Sequence, residues 1–90
     1  MQEIINTICE HKRISLANLV CKNRREPLNT LRQTMWYILY YRFKFSSVQI
    51  AAYFMRDHST VLYGIKRIDA QRLIYKDVNE SITSIEKHLS

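Results

Sequence analysis

The chain has 90 residues but only one glycine and one proline. Strand-rich folds need many tight turns, and tight turns draw heavily on these two residues. Their scarcity excludes a many-stranded architecture and predicts helices with few breaks. Cysteine is nearly as scarce. Cys9 and Cys21 are the only two, and they form no Cys-x-x-Cys pair. Without a second cluster a zinc site is not expected, and both are read as small hydrophobes in a reducing compartment. Long apolar runs are missing too. The greasiest stretch, residues 35–41, is too short to cross a bilayer and is followed at once by Arg42 and Lys44. Residues 1–14 mix acid and base with apolar side chains, unlike a signal peptide. A Gly-x-x-x-x-Gly-Lys-Ser/Thr phosphate loop is absent, and there is no room for an ATPase domain. His11, His58 and His88 lack metal-ligand spacing, and Ser59 beside His58 has no third group to orient it. Neither enzymatic activity nor a metal or cofactor is expected.

What is present points to a globular, basic chain. Hydrophobic residues make up 47% and aromatics 11%, too rich a mixture for disorder. The length suits one domain, residues 1–90, with a modest core. The formal net charge is +6. A basic surface favours an anionic partner, with nucleic acid first and the cytoplasmic face of a membrane second.

Hydrophobic spacing predicts an all-α bundle of about six helices of uneven length. Ile4, Ile5 and Ile8 define a first helix over residues 2–10, ended by Lys12 and Arg13. Ser15 can cap a short helix over residues 16–21 that buries Leu16, Leu19 and Val20. The stretch Lys22-Asn23-Arg24-Arg25-Glu26-Pro27 has no apolar period and is the clearest loop; Pro27 holds Glu26 extended. Asn29 is the expected N-cap of a long helix reaching about Lys44. Leu31, Met35, Ile38 and Leu39 give it one apolar stripe, and Trp36, Tyr40 and Phe43 give a second. A helix apolar on most of its circumference belongs in the centre of a domain. Ser46 and Gln49 form a Ser-x-x-Gln capping box. They open a helix containing Val48, Ile50, Ala51 and Phe54 that stops near Met55, and Ala51 and Ala52 would let another helix come close. Asp57 is expected to cap the next helix, which turns Val61, Leu62, Ile65 and Ile68 inward. Asp77 and Glu80 are a further capping pair, before a last helix with Ile82, Ile85 and Leu89.

A short helix, a tight corner and a second helix with a polar first turn make a helix-turn-helix pattern. Residues 46–55 would support and residues 57–67 would read DNA. His58, Ser59 and Thr60 can hydrogen-bond base edges or phosphates, and the Thr60 methyl can meet a thymine methyl. Lys66 and Arg67 lie further along, where they could reach phosphates.

The run Arg56-Asp57-His58-Ser59-Thr60-Val61-Leu62 resembles the signature of the C-terminal DNA-binding domain of the DnaA family of bacterial replication initiators, a Trp-repressor-like helix-turn-helix. Upstream, Arg32-Gln33 stands where that family has an Arg-Gln pair opening the central helix, and Lys22 to Arg25 falls in its basic loop. The resemblance covers residues 4–89. It implies that Arg24 enters the minor groove, and that Arg32 and Gln33 contact DNA near the loop. It makes Asp57, His58, Ser59 and Thr60 the major-groove reading set. The chemistry suits these roles. Arginine exploits the negative potential of a narrow minor groove, and Asp can accept from a cytosine amino group. The departures bear on which DNA sequence is bound. The corner before Arg56 is one residue shorter and carries Met55 where glycines are usual. Leu31 replaces a common proline, Tyr63 stands where histidine is common, and Glu26 dilutes the basic loop.

The expectation is therefore a standalone binder of double-stranded DNA, acting as a monomer in replication control or transcriptional regulation. Met1 is taken as the start of a complete small product. A replication or regulatory protein is a possible further partner, no membrane is expected, and the location would be cytoplasmic, with the nucleoid. A rival reading is a protein-docking module that uses the Tyr37, Tyr40 and Tyr41 face, which requires those tyrosines to be exposed. A membrane-surface role ranks third, because it needs one strongly amphipathic basic helix and the basic residues are dispersed.

Overall fold

The computed structural model describes residues 1–21 and 25–89. It is all-α, with α1 (Gln2–Lys12), α2 (Leu16–Val20), α3 (Leu28–Tyr41), α4 (Ser47–Phe54), α5 (His58–Ile74) and α6 (Lys76–Leu89). The radius of gyration is 11.8 Å. Among the described residues there is no strand, and no helix is long and apolar enough to cross a membrane.

α3 is the spine. Residues Arg32 to Leu39 are all buried, so Met35, Ile38 and Leu39 of the first stripe and Trp36 of the second lie inside with the polar residues between them, while Leu31, Tyr40 and Phe43 are partly buried. Around it, Ile5 and Ile8 of α1, Leu19 of α2, Ile50 and Phe54 of α4, Val61, Ile65 and Ile68 of α5, and Ile82 and Ile85 of α6 form one continuous core. Each such side chain contributes roughly 1.5–3 kcal/mol on burial, so a ring of isoleucines about one helix holds this small fold.

The scarcity of glycine is met by other residues at the helix ends. Arg13, Lys44 and Met55 take positive φ of 55°, 61° and 55°. Behind Arg13, Ile14 N–H donates to Cys9 O; behind Met55, Arg56 N–H donates to Ala51 O. These are Schellman-type endings, which close α1 and α4 sharply. The one glycine is not in a turn. Gly64 lies in the middle of α5, where a Cβ would stand 2.8 Å from Trp36 Cε3 and 2.9 Å from Gln33 Cγ. Its missing side chain is what lets α5 lie against α3.

Several helix boundaries differ from expectation. α3 ends at Tyr41 rather than near Lys44, because Lys44 turns left-handed. It starts at Leu28 with Pro27 in the cap position, so Asn29 is not its N-cap. The Glu26 carboxylate stands at that end instead, accepting from Asn29 Nδ2 at 3.5 Å and from Thr30 Oγ1. α5 runs seven residues beyond Arg67, to Ile74. α6 begins at Lys76, ahead of Asp77, and Glu80 pairs with Lys76 at 3.7 Å. Two caps are as expected. Ser15 Oγ accepts from Asn18 N–H, and the Ser46–Gln49 box is formed in both directions. Of the two small residues on α4, Ala51 is buried and Ala52 is exposed.

Candidate nucleic-acid interface

α4, the Met55-Arg56 corner and α5 form the helix-turn-helix. The capping box fixes the start of α4, and the left-handed Met55 fixes its end. Three residues later, at His58, the chain is helical again. Asp57 occupies the N-cap position with extended backbone, and its carbonyl accepts from Thr60 and Val61 N–H. Its side chain makes no capping bond, contrary to expectation. The residue is exposed at the positive end of α5, which its carboxylate complements.

Asp57, His58, Ser59 and Thr60 are all exposed, and no hydrogen bond among the described residues engages their side chains. Tyr63, one turn on, is 67% exposed, and Lys66 is exposed beyond it. These side chains spread along roughly 13 Å of one helix, at 1.5 Å per residue. Between this turn and the start of α3 runs an open groove of about 790 Å³, lined in part by Asn29, Met55, Asp57, Ser59, Thr60 and Tyr63.

Arg32, Gln33 and Trp36 also line that groove. Arg32 and Gln33 are only 2% and 6% exposed, deeper than the family resemblance implies for DNA contacts. Arg32 Nε donates to Leu19 O at 2.6 Å. Burial, and then the neighbouring Arg56, lower the Arg32 pKa. An arginine nevertheless stays charged, because its pKa starts so high. Gln33 Oε1 accepts from Arg67 Nη1.

Arg56 and Arg67 are similarly engaged within the protein. Arg56 Nη1 donates to Phe54 O at 2.6 Å and to Val20 O at 3.3 Å, and its Nη2 donates to Cys21 O at 2.8 Å. Arg67 Nη2 lies 3.9 Å from Glu26 Oε1. With the Gln71 amide turned so that its oxygen faces Arg67, that oxygen accepts from Nη2 at 3.2 Å and Nε at 3.3 Å. Of the basic loop, Arg25 is exposed; Lys22 and Arg24 lie outside the described residues. Of the expected residues, the groove thus brings together Arg32, Gln33, Arg56, Asp57, Ser59, Thr60 and Tyr63, with Arg67 bonded to Gln33 beside it. Sequence reasoning missed Asn29, Trp36 and Met55 as lining residues. Asn29 falls on the outer side of α3 facing the corner, which helical phase could have shown once the start of α3 was known.

Of the tyrosine face, only Tyr37 is buried. Tyr37 is 8% exposed and its hydroxyl accepts from Arg72 Nη1 at 2.6 Å. Tyr40 is half-buried and Tyr41 is 45% exposed. Burial, with Asp69 and the neighbouring tyrosines, raises the Tyr41 pKa.

Residues 1–68 match the family described as bacterial dnaA protein helix-turn-helix. The chain is 30% identical over 87 residues to the chromosomal replication initiator protein DnaA of Thermomicrobium roseum, an alignment covering 96% of this chain and 19% of that protein. It is 31% identical over 84 residues to the protein of the same name from Mycoplasma pneumoniae, covering 91% and 19%. With the protein from a Jannaschia species it shares 31% over 70 residues, covering 77% and 15%. The chain therefore spans about a fifth of the length of these relatives. The corner geometry, the exposed Asp57-His58-Ser59-Thr60 turn and the match over three-quarters of the chain agree: this protein belongs to the bacterial DnaA helix-turn-helix family.

Proposed function

We propose that this chain binds a short, asymmetric duplex DNA element as a monomer, in replication control. It acts as a binding module, not an enzyme, in the bacterial cytoplasm. The α5 first turn enters the major groove. There Asp57 accepts from a cytosine amino group, while His58, Ser59 and Thr60 meet base edges and a thymine methyl. Tyr63 and Lys66 follow along the groove wall. The basic loop approaches the adjacent minor groove with Arg24, and Lys22 and Arg25 meet phosphates. Arg32 and Gln33 form the floor of the space between the two arms.

The carrying observation is the first turn of α5. Four polar side chains in sequence are exposed and unengaged, at the open end of a helix, on a chain of net charge +6. A fold stabilises itself by pairing such groups or leaving them to water; placed beside a groove at a helix N-terminus, they are poised for an external partner. Selection of bound duplexes from a random pool tests the reading. One preferred element should emerge, and its affinity should fall steeply with salt. Thr60→Ala, shown folded by its melt, should cost ~1–3 kcal/mol on that element and flatten the preference at one or two base pairs. Salt-independent retention, or a folded Thr60→Ala and His58→Ala pair with unchanged base preference, would overturn it.

A further inference from the structure

We propose that Arg56 is a positioning residue: it fixes the point from which the basic loop leaves the fold relative to the helix that reads DNA. This rests on the DNA-binding reading above. α2 is one and a half turns long and ends without a left-handed cap, since Cys21 is extended at φ −64°, ψ 157°. Its last carbonyls therefore lack the partners that a Schellman ending would provide. Two arginines from other elements supply them. Arg32 Nε, from α3, takes Leu19 O. Arg56, from the helix-turn-helix corner, takes Val20 O and Cys21 O with two different nitrogens. The same guanidinium takes Phe54 O, at the end of α4. One planar group thus joins the last carbonyls of α4 to those of α2.

The position of Arg56 in the chain gives this joint its meaning. Arg56 immediately precedes Asp57, the N-cap of α5, and Cys21 immediately precedes Lys22, the first residue of the basic loop. The chain segments that lead into the two DNA-directed arms, 35 residues apart at Cys21 and Arg56, are therefore held by one guanidinium. Holding two arms in a fixed relation lowers the ordering that binding would otherwise require. At the other end of the loop Arg67, from the body of α5, reaches Glu26. A lysine in place of Arg56 keeps the charge but cannot present two forked nitrogens to separate carbonyls.

The test compares the full chain with Arg56→Lys, first without DNA and then with the selected duplex. By ¹⁵N relaxation, Arg56→Lys should raise the mobility of the Cys21 and Arg25 amides while leaving those of His58 to Val61 unchanged. On the duplex it should lose about tenfold in affinity, the scale of one lost charge-assisted bond. That loss should shrink or vanish in an Arg24→Ala background, because both changes act through the loop. Preference at the base pairs read by Thr60 should persist. Unchanged relaxation at Cys21 and Arg25, full affinity in Arg56→Lys, or losses that multiply with Arg24→Ala would each overturn the proposal. Altered relaxation in a chain whose wild type retains no duplex would leave the joint standing and sink the DNA reading instead. Should Arg56→Lys fail to fold, guanidinium NMR of the wild type decides. Arg56 Nη signals unchanged on adding duplex support positioning, and a new coupling to phosphorus refutes it.

Discussion

Both corners that flank α5 are tied by an arginine, but to different kinds of partner. At the α4–α5 corner, Arg56 reaches back 35 and 36 residues to backbone carbonyls of α2. At the α5–α6 corner, Arg72 holds Asn79 Oδ1, seven residues away, at 3.1 Å through Nε and 2.9 Å through Nη2, and also donates to the Tyr37 hydroxyl. The surfaces differ in step. Beside the first corner lie Asp57, His58, Ser59 and Thr60; beside the second lie Leu73, Ile74 and Tyr75, all exposed. A guanidinium bound to backbone carbonyls couples the ends of elements that face outward together, whereas Arg72, bound to the side chains of Asn79 in α6 and of Tyr37 in α3, seats α6 against the central helix. The first corner is organised around a surface, the second around the docking of α6.

The strongest way to break that comparison is to disturb the seam both corners share. Gly64→Ala should cost ~1–3 kcal/mol by overpacking against Trp36, less the ~1 kcal/mol that alanine returns in a helix interior. Melts followed by fluorescence of Trp36, the single tryptophan, should show a lower midpoint, and duplex affinity should fall as α5 is pushed outward. Arg72→Met separates the corners. It removes hydrogen bonds worth ~1–2 kcal/mol in sum, so denaturant midpoints should drop while the folded protein binds duplex as before. A folded Arg72→Met with weakened binding would show that the corners act as one unit. Asp57→Ala sharpens the account of the first corner. A bonded N-cap usually contributes ~0.5–2 kcal/mol. With no such bond here, only the dipole share of ~0.3–1 kcal/mol should be lost, and the larger change should be in base preference.

The smallest effect lies away from both corners, where α1 meets α6. The His11 and His88 rings stack at 4.3 Å, and His11 Nε2 hydrogen-bonds Ser84 Oγ at 3.1 Å. Burial first, then His88 and Lys12, push the His11 pKa below its ordinary value of 6.5. The unfolded chain therefore binds the proton more readily. The contribution of His11 is complete above pH 6.5 and declines as pH falls from there through the lowered value. Melting midpoints should drop modestly on acidification, and His88→Leu should flatten that drop. An equal slope in both proteins would remove His88 as a cause.

The helices were legible because their signals are local. Ser46 with Gln49, Ser15, and the isoleucine spacings act within a turn or two, and the structure reproduces them. The end of α5 was not, because no breaker stops the helix after Arg67 and only the docking of α6 sets where it turns. Nor could the sequence sort its arginines. Arg32, Arg56 and Arg67 stand where a DNA-contacting residue would, with the same charge and the same reach. What distinguishes them is the unfinished carbonyl end of α2 and the Glu26 carboxylate, neither of which is visible until the elements are assembled. The first turn of α5 was the reverse case. Its polar residues precede an inward stripe of Val61, Ile65 and Ile68, so helical phase alone places them outside.

The pairing of α1 with α6 joins the first helix to the last, with His11 bonded to a residue 73 positions later. During synthesis, then, the isoleucines of α1 emerge from the ribosome long before Ile82 and Ile85 exist to cover them. Contacts of such long sequence separation close late and slowly. The molecule should gain its final stability only once α6 has docked, however early the helix-turn-helix has taken shape.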